Sequence, residues 1–336
     1  MSERPKLAPG AGDDRRSSAD PRELRLLAKA ARLYYEKGLS QAEIGAIMDL
    51  SQATVSRLLK RALDEKIVRI TVSIPGGTCP EIEDQLERRY NMREVIVVDA
   101  VGDEADTLKD LGAAAAFYVE TTLKPGTVVG ISSWSSTLLA MVDAMHPPLR
   151  GGGTKVVQIL GGVGSPTAEV HATRLTQRLA QLLGGQAVLL PAPGVVASPE
   201  TRRVLLKDPY IADSLQALEQ VEVALVGIGD LEPSKLLAAS GNAFSAKELE
   251  SLQKLGAVGD ICLRFFDKEG KAVPSKLDER VIGMSLAQLA KVQRTVGVAA
   301  GKRKVPAIAA ALRARLVSVL VTDKTTALAI LAHDEA

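Results

Sequence analysis

At 336 residues, 46% apolar, 24% charged and with a formal net charge of +2, the chain can bury a large core, and its length corresponds to about two domains. No window approaches the ~18 uninterrupted apolar residues of a membrane span. The opening MSERPKLAPGAGDDRRSSAD is polar where a signal peptide needs an apolar stretch, so no membrane partner and a cytoplasmic location are expected. Cys79 and Cys262 lie far apart without a CxxC pattern, which predicts two reduced thiols and no metal site.

Charge is unevenly spread. Residues 1–70 hold 14 Lys/Arg against 10 Asp/Glu, a balance of +4, and the rest of the chain carries −2. The excess gathers at Arg57, Lys60, Arg61, Lys66 and Arg69, opposed by Asp64 and Glu65, which suggests a polyanion partner at one end.

Residues 1–20 read as a disordered tail rich in Pro, Gly, Ser and charge. Asp20-Pro-Arg-Glu starts an amphipathic helix running through Leu24 to Tyr35, and Gly38 ends it. Ser40 and Glu43 fit a capping box over a short helix whose Ile44 and Ile47 are expected to face inward; Asp49 and Leu50 form a tight turn. Ser51 caps a second helix with Val55, Leu58 and Leu59 on one stripe, leaving Gln52, Ala53, Thr54, Ser56, Arg57 and Lys60 outside, a set suited to base edges and phosphates. This is the pattern of a helix-turn-helix, with a generic αα-hairpin as the alternative. Alternation from Val68 to Ile74 predicts a wing strand beside Lys66 and Arg69. The DNA-contacting set is therefore Ser51, Gln52, Ala53, Thr54, Ser56, Arg57, Lys60, Arg61 and Lys66.

Pro75-Gly-Gly-Thr-Cys-Pro80 reads as a hinge, followed by a charged connecting helix from Glu81 to Tyr90. Eight apolar runs follow, at 95–98, 128–131, 156–160, 187–190, 221–226, 261–266, 292–298 and 316–321, separated by helix-length segments. Near-continuous Val/Ile runs predict a mostly parallel, Rossmann-like sheet covered on both faces. The expected division is a tail over 1–20, a winged helix-turn-helix over 21–74, a linker and connecting helix over 75–92, and an α/β ligand-binding and oligomerisation domain over 93–336.

In such a sheet, ligands bind beyond the carboxyl ends of the strands. Polar or glycine-rich residues stand there: Ser132, Ser133, Ser135, Ser136 and Thr137, then Gly161, Gly162 and Gly164, Gly227-Ile-Gly-Asp230, Ala299-Ala-Gly-Lys-Arg-Lys304 and Thr322-Asp323, with Val258-Gly259-Asp260 leading into the 261–266 run. The segment VVGISSWSSTLL resembles the strand-turn-helix of a serine hydrolase, but Gly130-Ile-Ser132-Ser-Trp134 places an indole where GxSxG requires glycine. Neither His146 nor His171 sits in a convincing strand-end loop, and His333 lies at the end of the chain. An anion cradle at a helix N-terminus suits the segment better, with Lys302 or Lys304 supplying a cation. A plain solvated cap for the serines and a packing role for Trp134 are the blander alternatives. Asp278 and Arg280 could pair with each other or reach a ligand.

Nine motifs in order, among them SQAEIGAIMDLSQATVSRLLKRA, VVQILGGVG, VALVGIGD, LGAVGDICLRFFDKEG and VLVTD, resemble the SorC family of sugar-responsive transcriptional regulators over about Leu24 to Leu331. The resemblance implies operator DNA and a phosphorylated sugar, sugar or polyol as partners. It also implies a dimer or tetramer, a repressor of a carbohydrate or polyol operon, and no catalysis or cofactor. Carried over, Gly130, Ser132, Ser133, Trp134, Ser135, Ser136 and Thr137 hold the phosphate. Gly161, Gly162, Gly227, Gly229 and Asp260 then line the sugar site, and Lys304 is the pocket lysine. A sugar-phosphate isomerase or deaminase with an accessory nucleic-acid-binding domain is the rival reading. Two positions depart from the family pattern: Ser135 follows Trp134 where GxWGxT has glycine, and Ala300 stands within the AGG before the lysine. Both phosphorylated and smaller unphosphorylated ligands remain open.

Overall fold

The computed structural model describes residues 21–65, 67–68, 79–100, 102–146, 153–242 and 244–333. It divides into two compact units, Met1–Ser73 and Ile74–Ala336.

In the first unit, helix α1 (Pro21–Ala31) runs into a π-turn (Arg32–Glu36), and Gly38 (φ 67°) reverses the chain. Helix α2 (Gln41–Met48) opens with the expected capping box: Ser40 N donates to Glu43 Oε2 (2.8 Å) and Glu43 N to Ser40 Oγ (3.3 Å). Asp49 takes a left-handed conformation, and Ser51 caps α3 (Gln52–Asp64) through Thr54 N. Leu27, Ala30, Ile44, Val55, Leu58, Leu59 and Ala62 form the core. Fully burying each large aliphatic here contributes about 1.5–3 kcal/mol.

Ile47 corrects the sequence reading: it is 55% exposed. The inward stripe of α2 runs from Ile44 to Met48, the i, i+4 pair, which leaves Ile47 on the far side. Gly45 is required by the turn, since a methyl group there would lie 2.6 Å from the Leu50 carbonyl oxygen. The tail over 1–20, Lys66, and all of the expected wing strand after Val68 lie outside the described residues.

The second unit is built on β1 (Glu94–Val98), β2 (Val128–Ile131), β3 (Lys155–Gln158), β4 (Gln186–Val188), β5 (Val223–Gly227), β6 (Gly259–Ile261), β7 (Arg264–Phe266), β8 (Arg294–Val298) and β9 (Val319–Asp323). Seven of these strands form one sheet in the order β1-β9-β8-β5-β2-β3-β4, with every pair parallel. The chain therefore winds outward from β2 to β4, then returns to the other side of β2 at β5, which makes β2/β5 the topological switch point.

The helices of this unit are α4 (Pro80–Tyr90), α5 (Glu104–Thr122), α6 (Ser136–Ala144), α7 (Pro166–Leu182), α8 (Pro199–Leu205), α9 (Pro209–Gln216), α10 (Lys235–Ser240), α11 (Ala246–Lys254), α12 (Leu286–Leu289), α13 (Val305–Arg313) and α14 (Lys324–His333). On one face Leu111, Leu138, Met141 and Leu179 from α5, α6 and α7 pack on Val129, Ile131, Leu225 and Val296. On the other, Leu86, Leu252, Ile308 and Ile330 from α4, α11, α13 and α14 pack with Val97, Val157, Val226 and Leu320.

Two expectations are corrected. The apolar run 261–266 is not a strand of the parallel sheet: Asp260 pairs with Phe265 in an antiparallel β6–β7 hairpin, turned by Cys262 (φ 54°) and Leu263 (φ 60°). Two successive left-handed residues match the twist of a hairpin, and the Asp260 carboxylate holds them by accepting Leu263 N–H at 2.9 Å. Helix α4 is more than a connector, because Glu83 accepts Val97 N–H and Glu87 accepts Val95 N–H, both at 2.8 Å. Those carboxylates satisfy the outward edge of β1, whose amides have no neighbouring strand.

Candidate functional site

In the first unit, α3 presents Gln52, Ala53, Ser56, Arg57 and Lys60 to solvent, with Thr54 half-buried between them. The Ser51 hydroxyl, besides capping the helix, is 2.8 Å from Thr54 Oγ1. Arg57 folds along the helix, Nε donating to Ala53 O (3.3 Å) and Nη2 to Thr54 Oγ1 (3.4 Å). Arg61 stands apart from this set: its guanidinium bridges Glu23 of α1 and Glu65 (2.6 Å to the latter), which ties α3 to α1 and favours its charged form still further. The exposed cations of α3 are thus Arg57 and Lys60, on the face opposite Val55 and Leu59.

In the second unit, the loop after β2 meets the loops after β5 and β8. Ser132 continues the strand by donating its N–H to Leu225 O (3.1 Å), and its hydroxyl bonds the Cys262 thiol. Burial pushes that thiol up to about 12, so it is no nucleophile at neutral pH. Ser133 and Trp134, both buried, turn away from the crevice. Ser133 Oγ donates to Leu160 O (2.7 Å) and Trp134 Nε1 to Gly161 O (3.1 Å), latching the loop onto the end of β3.

The hydroxyls that follow form a chain whose direction is determined. Thr137 Oγ1 donates to Val298 O (2.9 Å), so in its 2.8 Å bond with Ser135 it accepts, and Ser135 donates while accepting Leu138 N–H as the cap of α6. Among the described residues the Ser136 hydroxyl has no intramolecular hydrogen bond, and the first turn of α6 offers the Ser136 and Thr137 N–H groups no intrahelical acceptor. Gly227 allows this approach, since a methyl group there would lie 2.6 Å from Ser135 Oγ.

Gly229 exchanges backbone hydrogen bonds with Asp260 (2.9 and 3.1 Å), which carries the hairpin to the carboxyl end of β5. Burial raises the Asp260 carboxyl to about 6 against the opposing pull of the Leu263 N–H and the Lys304 ammonium. Lys304, half-buried, is in turn lowered by desolvation, while Asp230 and Asp260 resist that change. Asp230 is held by Arg303 (Nη2–Oδ2 3.0 Å), which also pairs with Glu232. Asp230 and Arg303 both lie in strand-end segments singled out in the sequence, though neither is among the residues that the family resemblance carries over.

Three expected glycines do other work. Gly130 is buried in β2, where a methyl group would meet Ile159 Cγ2 at 2.6 Å. Gly161 abuts the Ala192–Pro193 backbone and Gly162 the Gln158 side chain, so the lack of a side chain at both serves the packing of the loop. Asp278 and Arg280 do not pair with each other: Asp278 bonds the buried Arg264 (2.8 Å), and Arg280 bonds Glu248 and Val196 O. His146 lies on the surface beside Glu120.

What converges at the switch point is a helix N-terminus with free amides, a buried carboxyl and a lysine, a set that can hold an anion at one end of a ligand and hydroxyls at the other.

Comparison with known proteins adds the following. The family model "Putative sugar-binding domain" matches residues 75–332, and that of "Sigma-70, region 4" matches residues 28–65. The deoxyribonucleoside regulator of Bacillus subtilis is 33% identical, over 93% of this chain and 98% of its own. The sorbitol operon regulator of Klebsiella pneumoniae is 30% identical, over 91% and 97%. The crystal structure of full-length SorC from Klebsiella pneumoniae superposes with a TM-score of 0.70 at 28% identity, covering 92% of this chain and 98% of that one.

Proposed function

The chain belongs to the SorC family of sugar-binding transcriptional regulators, and from that premise we propose that it is a DNA-binding regulator of a carbohydrate or polyol operon, controlled by a ligand at the β2/β5 switch point. Residues 21–74 act as its DNA-binding domain and residues 93–336 as the ligand-binding and oligomerisation domain. Gln52, Arg57 and Lys60 carry the contacts to DNA, and binding of the ligand releases the operator by altering how subunits pair.

What supports the ligand reading is that the open amides of α6, Asp260 and Lys304 stand at the carboxyl ends of the adjacent strands β2, β5 and β8. Ser135, standing where the family loop has glycine, folds back as the helix cap and spends its proton on Thr137, so it leaves the Ser136 and Thr137 amides uncovered. This supports a phosphorylated sugar or polyol over a smaller neutral ligand. The phosphate sits on the α6 amides, Asp260 accepts a sugar hydroxyl, and Lys304 supplies the cation. We read the crevice as a binding site rather than a catalytic one: Cys262 is buried with its thiol raised, and the Ser133 and Thr137 hydroxyls donate to carbonyls, which supports a role in holding a ligand.

An operator-shift assay at several salt concentrations, with and without a panel of pentose, hexose and polyol phosphates and their unphosphorylated parents, tests both halves. Salt-sensitive binding released by a phosphorylated compound is the expected result. Absence of DNA binding by the full-length chain overturns the regulator reading; release by the unphosphorylated parent at equal concentration overturns the phosphate assignment.

A further inference from the structure

The lysine of the crevice is delivered by a turn that another part of the sheet holds in place. After β8 the chain passes Ala299 and Ala300 to Gly301, whose φ of 112° and ψ of 137° lie outside the range comfortable for a side-chain-bearing residue. One helical turn then leads to Lys304, whose N–H returns to Gly301 O at 3.0 Å. The Gly301 N–H donates 2.8 Å to Thr326 Oγ1, a hydroxyl in the first turn of α14 and buried.

Thr326 is itself constrained. Its N–H donates to Asp323 Oδ1 (3.0 Å) and its hydroxyl to Asp323 Oδ2, with Asp323 buried at the carboxyl end of β9. Because the single hydroxyl proton goes to the carboxylate, a lone pair of Thr326 is left for Gly301, and the orientation of the relay is unambiguous.

Resting on the reading of Lys304 as a ligand residue, we propose that Thr326 and Asp323 are positioning residues of the site, holding the Gly301–Lys304 turn so that the Lys304 ammonium stands against Asp230 and Asp260. Neither residue needs to touch the ligand. The backbone amide of Gly301 is the lever, and the carboxylate of Asp323 aims the hydroxyl that grips it. Gly301 suits the relay because the required φ excludes most other residues while its N–H remains available.

Competitive acetylation of the full-length protein across a pH series, read by peptide mass spectrometry, tests this without any ligand. Exposed Lys302 serves as the adjacent reference and Lys124 as a distant one. The groups facing Lys304 are Asp230, Asp260, Arg303 and Glu104, and desolvation is the largest influence on it. In the native protein Lys304 should label more slowly than Lys302. Thr326→Val, which removes the acceptor at constant shape, should raise Lys304 labelling relative to Lys302 by about fivefold, the equivalent of one hydrogen bond, with Lys124 unmoved. Thr326→Ser should restore the native ratio. An unchanged Lys304 profile in a Thr326→Val protein that still melts cooperatively overturns the proposal. If that variant does not fold, Asp323→Asn decides: it keeps an acceptor for the Thr326 N–H but turns a donor toward the hydroxyl, and a native Lys304 profile in it is equally fatal. As neither arm uses a sugar or DNA, failure here is distinguishable from failure of the regulator reading.

Discussion

Asp260 shows how a single residue can be recognised in sequence and still be read incompletely. Its place after glycine at the edge of an apolar run marks it as a candidate, but its buried carboxyl and its bond to Leu263 N–H depend on a hairpin that apolar pattern alone does not distinguish from a strand. Burial raises it to about 6, so the folded chain binds this proton more tightly than the unfolded chain does, whose aspartates titrate near 3.9. Its contribution to stability is fully present below about pH 4 and is lost as pH rises through about 6. Asp260→Asn keeps an acceptor for Leu263 but cannot titrate. Urea unfolding of both proteins from pH 4 to 7.5 should show their stability difference moving by about 2–3 kcal/mol, the native protein relatively stronger in acid. Parallel curves would mean that the carboxyl is solvated. Ser133 and Trp134 carry the opposite lesson: their residue types suit a ligand, yet both spend their donors on the Leu160 and Gly161 carbonyls of the loop after β3. Arg61 likewise belongs to the basic run in sequence and to an ion pair with Glu23 in the fold.

At the scale of elements, caps and turns were legible because they are local. Ser40 with Glu43, the left-handed Asp49 and the Ser51 cap all stand where the sequence pattern puts them. The glycine in α2 has a reason that a helix propensity scale does not contain. Gly45→Ala should favour an isolated helix by about 1 kcal/mol, yet its methyl group would press on the Leu50 carbonyl at 2.6 Å. The expected outcome is a net loss of stability in thermal melts of the helix-turn-helix and weaker DNA binding with it; a stabilised variant would show that the turn can give way. The β6–β7 hairpin and the docking of α4 on the β1 edge were not legible. The first needs two non-glycine residues at positive φ, and the second uses glutamates whose spacing reads equally well as a solvated helix face.

For the molecule as a whole, the two units make separable predictions. Arg57→Ala should weaken specific operator binding roughly tenfold to a hundredfold and leave the thermal stabilisation produced by a sugar phosphate intact. Loss of both would mean that the roles of the two units are wrongly assigned. The chain by itself determined the number of the sheet strands and their places along the sequence to within one hairpin, together with the helix-turn-helix, because periodicity, caps and glycine positions are short-range. Only the tertiary structure decided which strand ends meet. The order β8-β5-β2 brings Val298 to Thr137 across a long stretch of chain, and the β6–β7 hairpin, bridged to the end of β5, brings Asp260 to Gly229. It also decided which polar groups remain available once the buried ones have satisfied each other. That selection cannot be local: a buried donor takes whatever acceptor the fold sets beside it, and leaving it unpaired costs more than any preference written in neighbouring residues.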